Sequence, residues 1–167
     1  ASHLDFEYHQ QMDAALTALL GPATPVRAVH LGAAGCALAR AWDATRPGSR
    51  QLAVELDALL AGYAREWFDL PRSPALRIRV GDAAVEVGSL RPGEWDVVVR
   101  DVFAAGQVPA PTRTVEFVRA CCRALAPQGV YLANMTSVPR EVAGAEVAVA
   151  REVFTSVLVV ADPAVVR

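Results

Sequence analysis

Short apolar runs alternate with longer stretches of helical spacing, and no other feature of the chain narrows its fold as much. Residues 26–31, 51–55, 76–80, 95–99, 130–133 and 157–160 are brief and either β-branched or bounded by turn signals. Between them, residues 37–45, 58–70, 114–125 and 141–153 carry apolar positions at helical spacing. "RPGS" (46–49), "PRSP" (71–74), "RPGE" (91–94) and "APQG" (126–129) punctuate the joins. Strands that alternate with helices build βαβ units. The pattern therefore predicts an α/β fold with a doubly wound, mostly parallel sheet in the order 3-2-1-4-5-6. Residues 3–20 read as a further helix ahead of the first strand, with Phe6, Leu16, Leu19 and Leu20 as core contacts.

Composition limits what such a fold does. Its 167 residues suit a single domain, 1–167, with a full core. A 53% apolar and 20% charged chain buries enough surface to escape disorder. A formal charge of −2 argues against nucleic-acid and anionic-membrane partners, and no apolar run is long enough to cross a bilayer. All 16 basic residues are arginine, which reads as compositional bias. Three cysteines without metal spacing (Cys36, Cys121, Cys122) read as reduced residues of a cytoplasmic protein, and no metal site is expected.

In open α/β sheets ligands gather beyond the carboxyl ends of the strands, so the residues that close each strand carry the functional reading. After strand one comes "HLGAAGCALAR" (30–40), whose small residues Gly32, Ala33 and Gly35 allow close approach and expose helix amides. It is an incomplete glycine motif, with Ala34 and Cys36 where further glycines would stand. Strand two ends in "VELD". Glu55, 23 positions beyond Gly32, is suitably placed to accept from a ribose diol, and Asp57 reads as a helix cap. Strand three ends in "VGDA", where Asp82, ahead of Ala83, faces an exocyclic amine or caps the next helix. Strand four ends in "DVVVRDVFAAGQVP" (96–109), where Asp101 is either a turn residue or a carboxylate held over a ligand. Each acid alone is ordinary. A glycine-rich loop, Glu, Asp and Asp at four successive strand ends is not.

In this order the residues resemble the spermidine synthase family, polyamine aminopropyltransferases on the Rossmann-like fold of class I S-adenosylmethionine-dependent methyltransferases. The resemblance covers residues 3–160. "FEYHQQM" (6–12) resembles the family's YHE-type segment, and "HLGAAG", "VELD" and "GDA" its nucleoside-binding loop and strand ends. "WDVVVRDVF" resembles the strand with its catalytic aspartate, and residues 111–134 the following helix and strand five.

The resemblance implies that Asp101 is the general base and that Gly32, Ala33, Gly35, Glu55, Asp82 and Ala83 hold decarboxylated S-adenosylmethionine as co-substrate. Tyr8 and His9 would sit at the mouth for a small amine, or be surface residues of an amphipathic helix. It also implies release of methylthioadenosine, and it is compatible with a homodimer. A methyltransferase using S-adenosylmethionine and a non-catalytic nucleoside-binding homologue are the alternatives. Two departures stand out: Ala104 where the family has a second loop aspartate, and Asn134 where it usually has Gln. The family's small N-terminal β-domain is not expected in this chain.

Overall fold

The computed structural model describes residues 3–161. Helix α1 (Glu7–Leu20) leads into β1 (Arg27–Leu31), α2 (Ala37–Thr45), β2 (Arg50–Glu55), α3 (Ala58–Trp67), β3 (Leu76–Val80), α4 (Ala83–Glu86), β4 (Trp95–Arg100), α5 (Val115–Ala124), β5 (Leu125–Ala133) and α6 (Arg140–Val153). The strands form one five-stranded, all-parallel sheet in the order β3-β2-β1-β4-β5. The alternation of short and long runs predicted this crossover topology, but not its last member. Residues 157–160 join no ladder, and Leu158, Val159 and Val160 stand in water. Their β-branched composition suits a strand. Pairing, which composition does not report, is what the segment lacks.

Alternate side chains of the central strands go to opposite faces, which is why their runs are apolar throughout. Val29 and Leu31 of β1, Val54 of β2 and Val98 of β4 face α4, α5 and α6 in one cluster. Ala28, Val97 and Val99 face α1 and α2, where Trp42 and Leu16 are fully buried. α1 covers the sheet with Met12 and Leu16, whereas Phe6 and Leu19, expected in the core, are 60% and 63% exposed. The helix turns a narrower stripe inward than its apolar content suggested.

Two buried polar networks fix the layers. Arg46, 1% exposed, donates to Gly21 O, Thr24 O and Thr17 Oγ1, tying α2 to the end of α1. Beneath the end of β1, Gln51 donates to Ala39 O at 2.8 Å and turns its carbonyl to His30 Nε2 at 2.9 Å. That amide orientation makes His30 Nε2 the donor of a neutral imidazole. Burial, opposed in part by the Gln51 bond, lowers the His30 pKa from 6.5 to about 4.

Candidate active site

All four predicted strand ends meet along one rim of the sheet. Gly32 N donates to Val54 O and Asp101 N to Leu31 O, so the glycine loop and the ends of β2 and β4 are laced together. Gly32 has φ +80°, and a Cβ there would run into the carbonyl of Asp101. This position requires glycine on two counts. At Gly35 the ring of Phe68 lies 3.2 Å from where a Cβ would stand. Ala34 and Cys36, where further glycines were expected, take left-handed φ of 43° and 56°. The backbone shape of the loop is thus kept without its glycines, at a cost of about 1–2 kcal/mol per residue.

At the ends of β2 and β3 the acids are engaged locally. Glu55 accepts from Ala34 N at 2.7 Å through Oε2 and from Asp57 N at 3.0 Å through Oε1. Each carboxylate oxygen accepts two bonds, so one position on each remains for a vicinal diol. The half-buried carboxylate also holds the glycine loop in shape. Asp57 caps α3 through Leu59 N and Leu60 N. Exposed Asp82 caps α4 by accepting from Ala84 N at 2.8 Å through Oδ1, with its second oxygen available to an exocyclic amine. Ala83 is buried in the core and offers a ligand only backbone. Ala33 packs against the cluster beneath the loop.

On the other side Asp101 is the focus of residues far apart in sequence. Tyr8 Oη donates to Oδ2 at 3.1 Å, His9 Nε2 lies 3.3 Å from the same oxygen, and Asn134 Nδ2 donates to Oδ1 at 3.0 Å. α1 therefore folds over the rim, and Tyr8 and His9 are not merely surface residues of an amphipathic helix. His9 is 7% exposed. With Nε2 donating to the carboxylate, its buried Nδ1 is an acceptor lone pair without a partner among the described residues. Burial pushes the Asp101 pKa up, but the bonds from His9, Asn134 and Tyr8 outweigh it and hold the carboxyl below its ordinary value. Burial first, then the Asp101 charge, raises the Tyr8 phenol, so Tyr8 stays a donor. A half-buried carboxylate whose ionised form is favoured in this way can hold an ammonium group.

Sequence reasoning did not find the support behind this cluster. Arg100, 2% exposed, pairs with buried Glu146 at 2.6 Å and donates to Asn134 O at 2.7 Å. It thereby fixes the strand end from which Asn134 reaches Asp101. An arginine beside three valines was the available signal. Beside the cluster a cleft of about 490 Å³ opens between α1, β5 and α6, lined by Tyr8, Met12, Leu132, Asn134 and Val147. The loop after Asp101 closes on itself through paired backbone bonds between Ala104 and Gln107. Among the described residues no histidine, cysteine and acid cluster could hold a metal, and no helix is long and apolar enough to cross a membrane.

These strand-end acids on a 3-2-1-4-5 parallel sheet define a class I methyltransferase-like domain. Human methyltransferase-like protein 13, solved with S-adenosylhomocysteine, superposes with a TM-score of 0.81 at 24% identity, covering 90% of this chain and 74% of that one. Within the class, the chain is a spermidine synthase-like protein. A probable spermidine synthase from Corynebacterium glutamicum is 41% identical with a TM-score of 0.85, covering 92% of this chain and 57% of that chain. The polyamine aminopropyltransferase of Chromobacterium violaceum is 31% identical over 114 residues, 68% of this chain and 43% of that protein. The chain spans less than half the length of the curated relatives it matches. No family model matches.

Proposed function

We propose that this domain is an aminopropyltransferase that moves an aminopropyl group from decarboxylated S-adenosylmethionine to a small amine and releases methylthioadenosine. The observation that carries the reading is the ionised Asp101 carboxylate, held at the end of β4 by Tyr8, His9 and Asn134. Glu55 would accept from the ribose hydroxyls, Asp82 from the adenine amine, and the loop at Gly32, Ala33 and Gly35 would give the nucleoside room. These groups fit a nucleoside sulfonium, because Glu55 and Asp82 keep acceptor positions free and residues 32–35 carry nothing larger than a methyl group.

Asp101 holds the acceptor ammonium and takes the proton as the amine nitrogen displaces the sulfonium. A C–N bond forms, the C–S bond breaks, and the sulfur leaves as a neutral thioether. Tyr8 and Asn134 keep the carboxylate in place. The largely apolar cleft beside them is of a size that suits a small ligand and would take the acceptor's methylene chain.

A methyltransferase is the second reading. Ala104 favours it, since the loop offers no second carboxylate for a distal ammonium. The test is product analysis with decarboxylated S-adenosylmethionine and S-adenosylmethionine, each offered with mono- and diamines. Methylthioadenosine release that depends on the amine supports the proposal. S-adenosylhomocysteine release from S-adenosylmethionine alone overturns it, and tight binding of both donors without turnover leaves a nucleoside-binding protein.

A further inference from the structure

The charges around the cleft between α1, β5 and α6 do not balance. Three charged side chains line it, Arg100, Arg113 and Glu146. Arg100 and Glu146 are both buried and pair at 2.6 Å, so their charges cancel. Arg113 is left over. Its buried Nε has no acceptor, and no carboxylate lies within ion-pair distance of its guanidinium among the described residues. Glu152, the acid that α6 offers toward α5, is taken by Arg119.

Arg113 is not a loose surface arginine. It ends the short 3-10 helix Ala110–Arg113 and precedes Thr114, which caps α5 by accepting from Phe117 N at 3.2 Å. On its other side Thr112, 2% exposed, turns its carbonyl to Arg100 Nη1 at 3.4 Å. The backbone of Arg113 is thus tied down on both sides. A long basic side chain normally carries its charged head into water. Here the guanidinium has a donor withdrawn from water and not replaced, which is costly until an acceptor arrives.

Asp101 supplies the opposite sign. It stands behind Tyr8 and Asn134, which line the same cleft. A diammonium acceptor with one end on Asp101 would bring its other end into a cleft with surplus positive charge, and Ala104 offers it no second acid. Glu146 Oε1 also lacks a partner, but the charge of Glu146 is spent on Arg100, whose own Nε lacks an acceptor. Resting on the aminopropyl-transfer reading of Asp101, we propose that the acceptor is an ω-amino acid rather than a diamine. Its ammonium sits on Asp101, its methylene chain on the apolar wall and its carboxylate on Arg113. A guanidinium meets a carboxylate in a fork of two parallel bonds, and one guanidinium matches one such anion. The transfer itself is as before: the amine nitrogen displaces the thioether, its proton goes to Asp101, and the carboxylate takes no part in bond making.

Titration calorimetry with methylthioadenosine present tests this with ω-amino acids, α,ω-diamines and n-alkylamines of about three to six carbons, lengths that suit a small-ligand cleft. Methylthioadenosine release from decarboxylated S-adenosylmethionine is followed with the same compounds. At the best length the amino acid should bind about 10- to 100-fold tighter than the alkylamine, the range for a charged hydrogen bond, and the diamine should bind more weakly than either. Arg113→Gln should collapse the ratio of amino acid to alkylamine affinity toward one, Arg113→Lys should keep part of it, and Arg113→Glu should turn the preference to the diamine. An arginine with a merely structural role would weaken all three series alike. A wild type that prefers diamines, an amino acid advantage that survives Arg113→Gln, or no amino acid binding at all overturns the proposal. An amino acid preference in calorimetry without release from any amine supports the Arg113 subsite and overturns the reaction assigned to Asp101. Release with alkylamines or diamines but no amino acid advantage overturns the subsite and leaves the reaction standing.

Discussion

The two halves of the binding rim are built by different means. Along β1, β2 and β3 the acids act close to home: Glu55 bonds Asp57 two residues on and Ala34 across one crossover, and Asp82 bonds Ala84. At β4, Asp101 is gripped by Tyr8 and His9 from 93 and 92 positions away and by Asn134 from 33 positions away. The local half, the proposed nucleoside cradle, is one that each βα turn nearly builds by itself. The distant half exists only once α1 has packed on the sheet and Arg100 has fixed the end of β5. Binding and chemistry should therefore separate under mutation.

The largest expected effect is at Asp101. Asp101→Asn can keep its oxygen toward Asn134 and turn its amide toward Tyr8 Oη, which can accept, and toward His9 Nε2, which accepts once the ring takes its other tautomer, so the fold should survive. It removes the charge that, in the proposed reaction, holds and deprotonates the amine. Amine-dependent methylthioadenosine release should fall by about two to four decades, the range for lost general-base catalysis, with nucleoside affinity nearly unchanged. A loss of nucleoside binding in step with turnover would show that the halves are not separable.

This division also marks how far the sequence could be read. The strand ends of Gly32, Glu55, Asp82 and Asp101 follow from period and turn chemistry, which are local. So do the caps at Asp57 and Asp82. The grip of Tyr8 and His9 on Asp101 does not, because α1 presents equally plausible faces until it packs, and Phe6 and Leu19 were assigned inward for the same reason. The Arg100–Glu146 pair joins β4 to α6, two elements that no local pattern connects. The missing sixth strand has the opposite cause: residues 157–160 satisfy strand propensity and yet lack a partner.

His30 tests whether both halves rest on one support, since it lies under the end of β1 between them. The unfolded imidazole takes its proton near 6.5 and the folded one only near 4. Between these values the unfolded state holds more protons. Stability from this group is therefore complete above pH 6.5 and is lost as the pH falls toward 4, by about 3 kcal/mol in all. Urea unfolding of the wild type should show this slope below pH 6.5, and His30→Gln should lack it. An unchanged slope in the variant would place the acid sensitivity elsewhere.

The smallest effect belongs to the local half and is the sharper test of it. Glu55→Gln leaves the shape of the β2 end intact but replaces one acceptor oxygen with a donor. Whichever oxygen becomes the amide, Ala34 N or Asp57 N loses its acceptor, and so does the ribose hydroxyl proposed for that oxygen. Charged hydrogen bonds of this kind are worth about 1.5–3 kcal/mol, so methylthioadenosine affinity should fall by about one to two decades. Turnover at saturating nucleoside should be much less affected, because Asp101 and its three donors lie on the other half. Calorimetry and steady-state kinetics on the same folded variant separate the two. Unchanged affinity would assign Glu55 to shaping the glycine loop alone. A drop in saturated turnover as large as that of Asp101→Asn would mean that the loop held by Glu55 also sets the position of Asp101, through the close approach of Gly32 to its carbonyl.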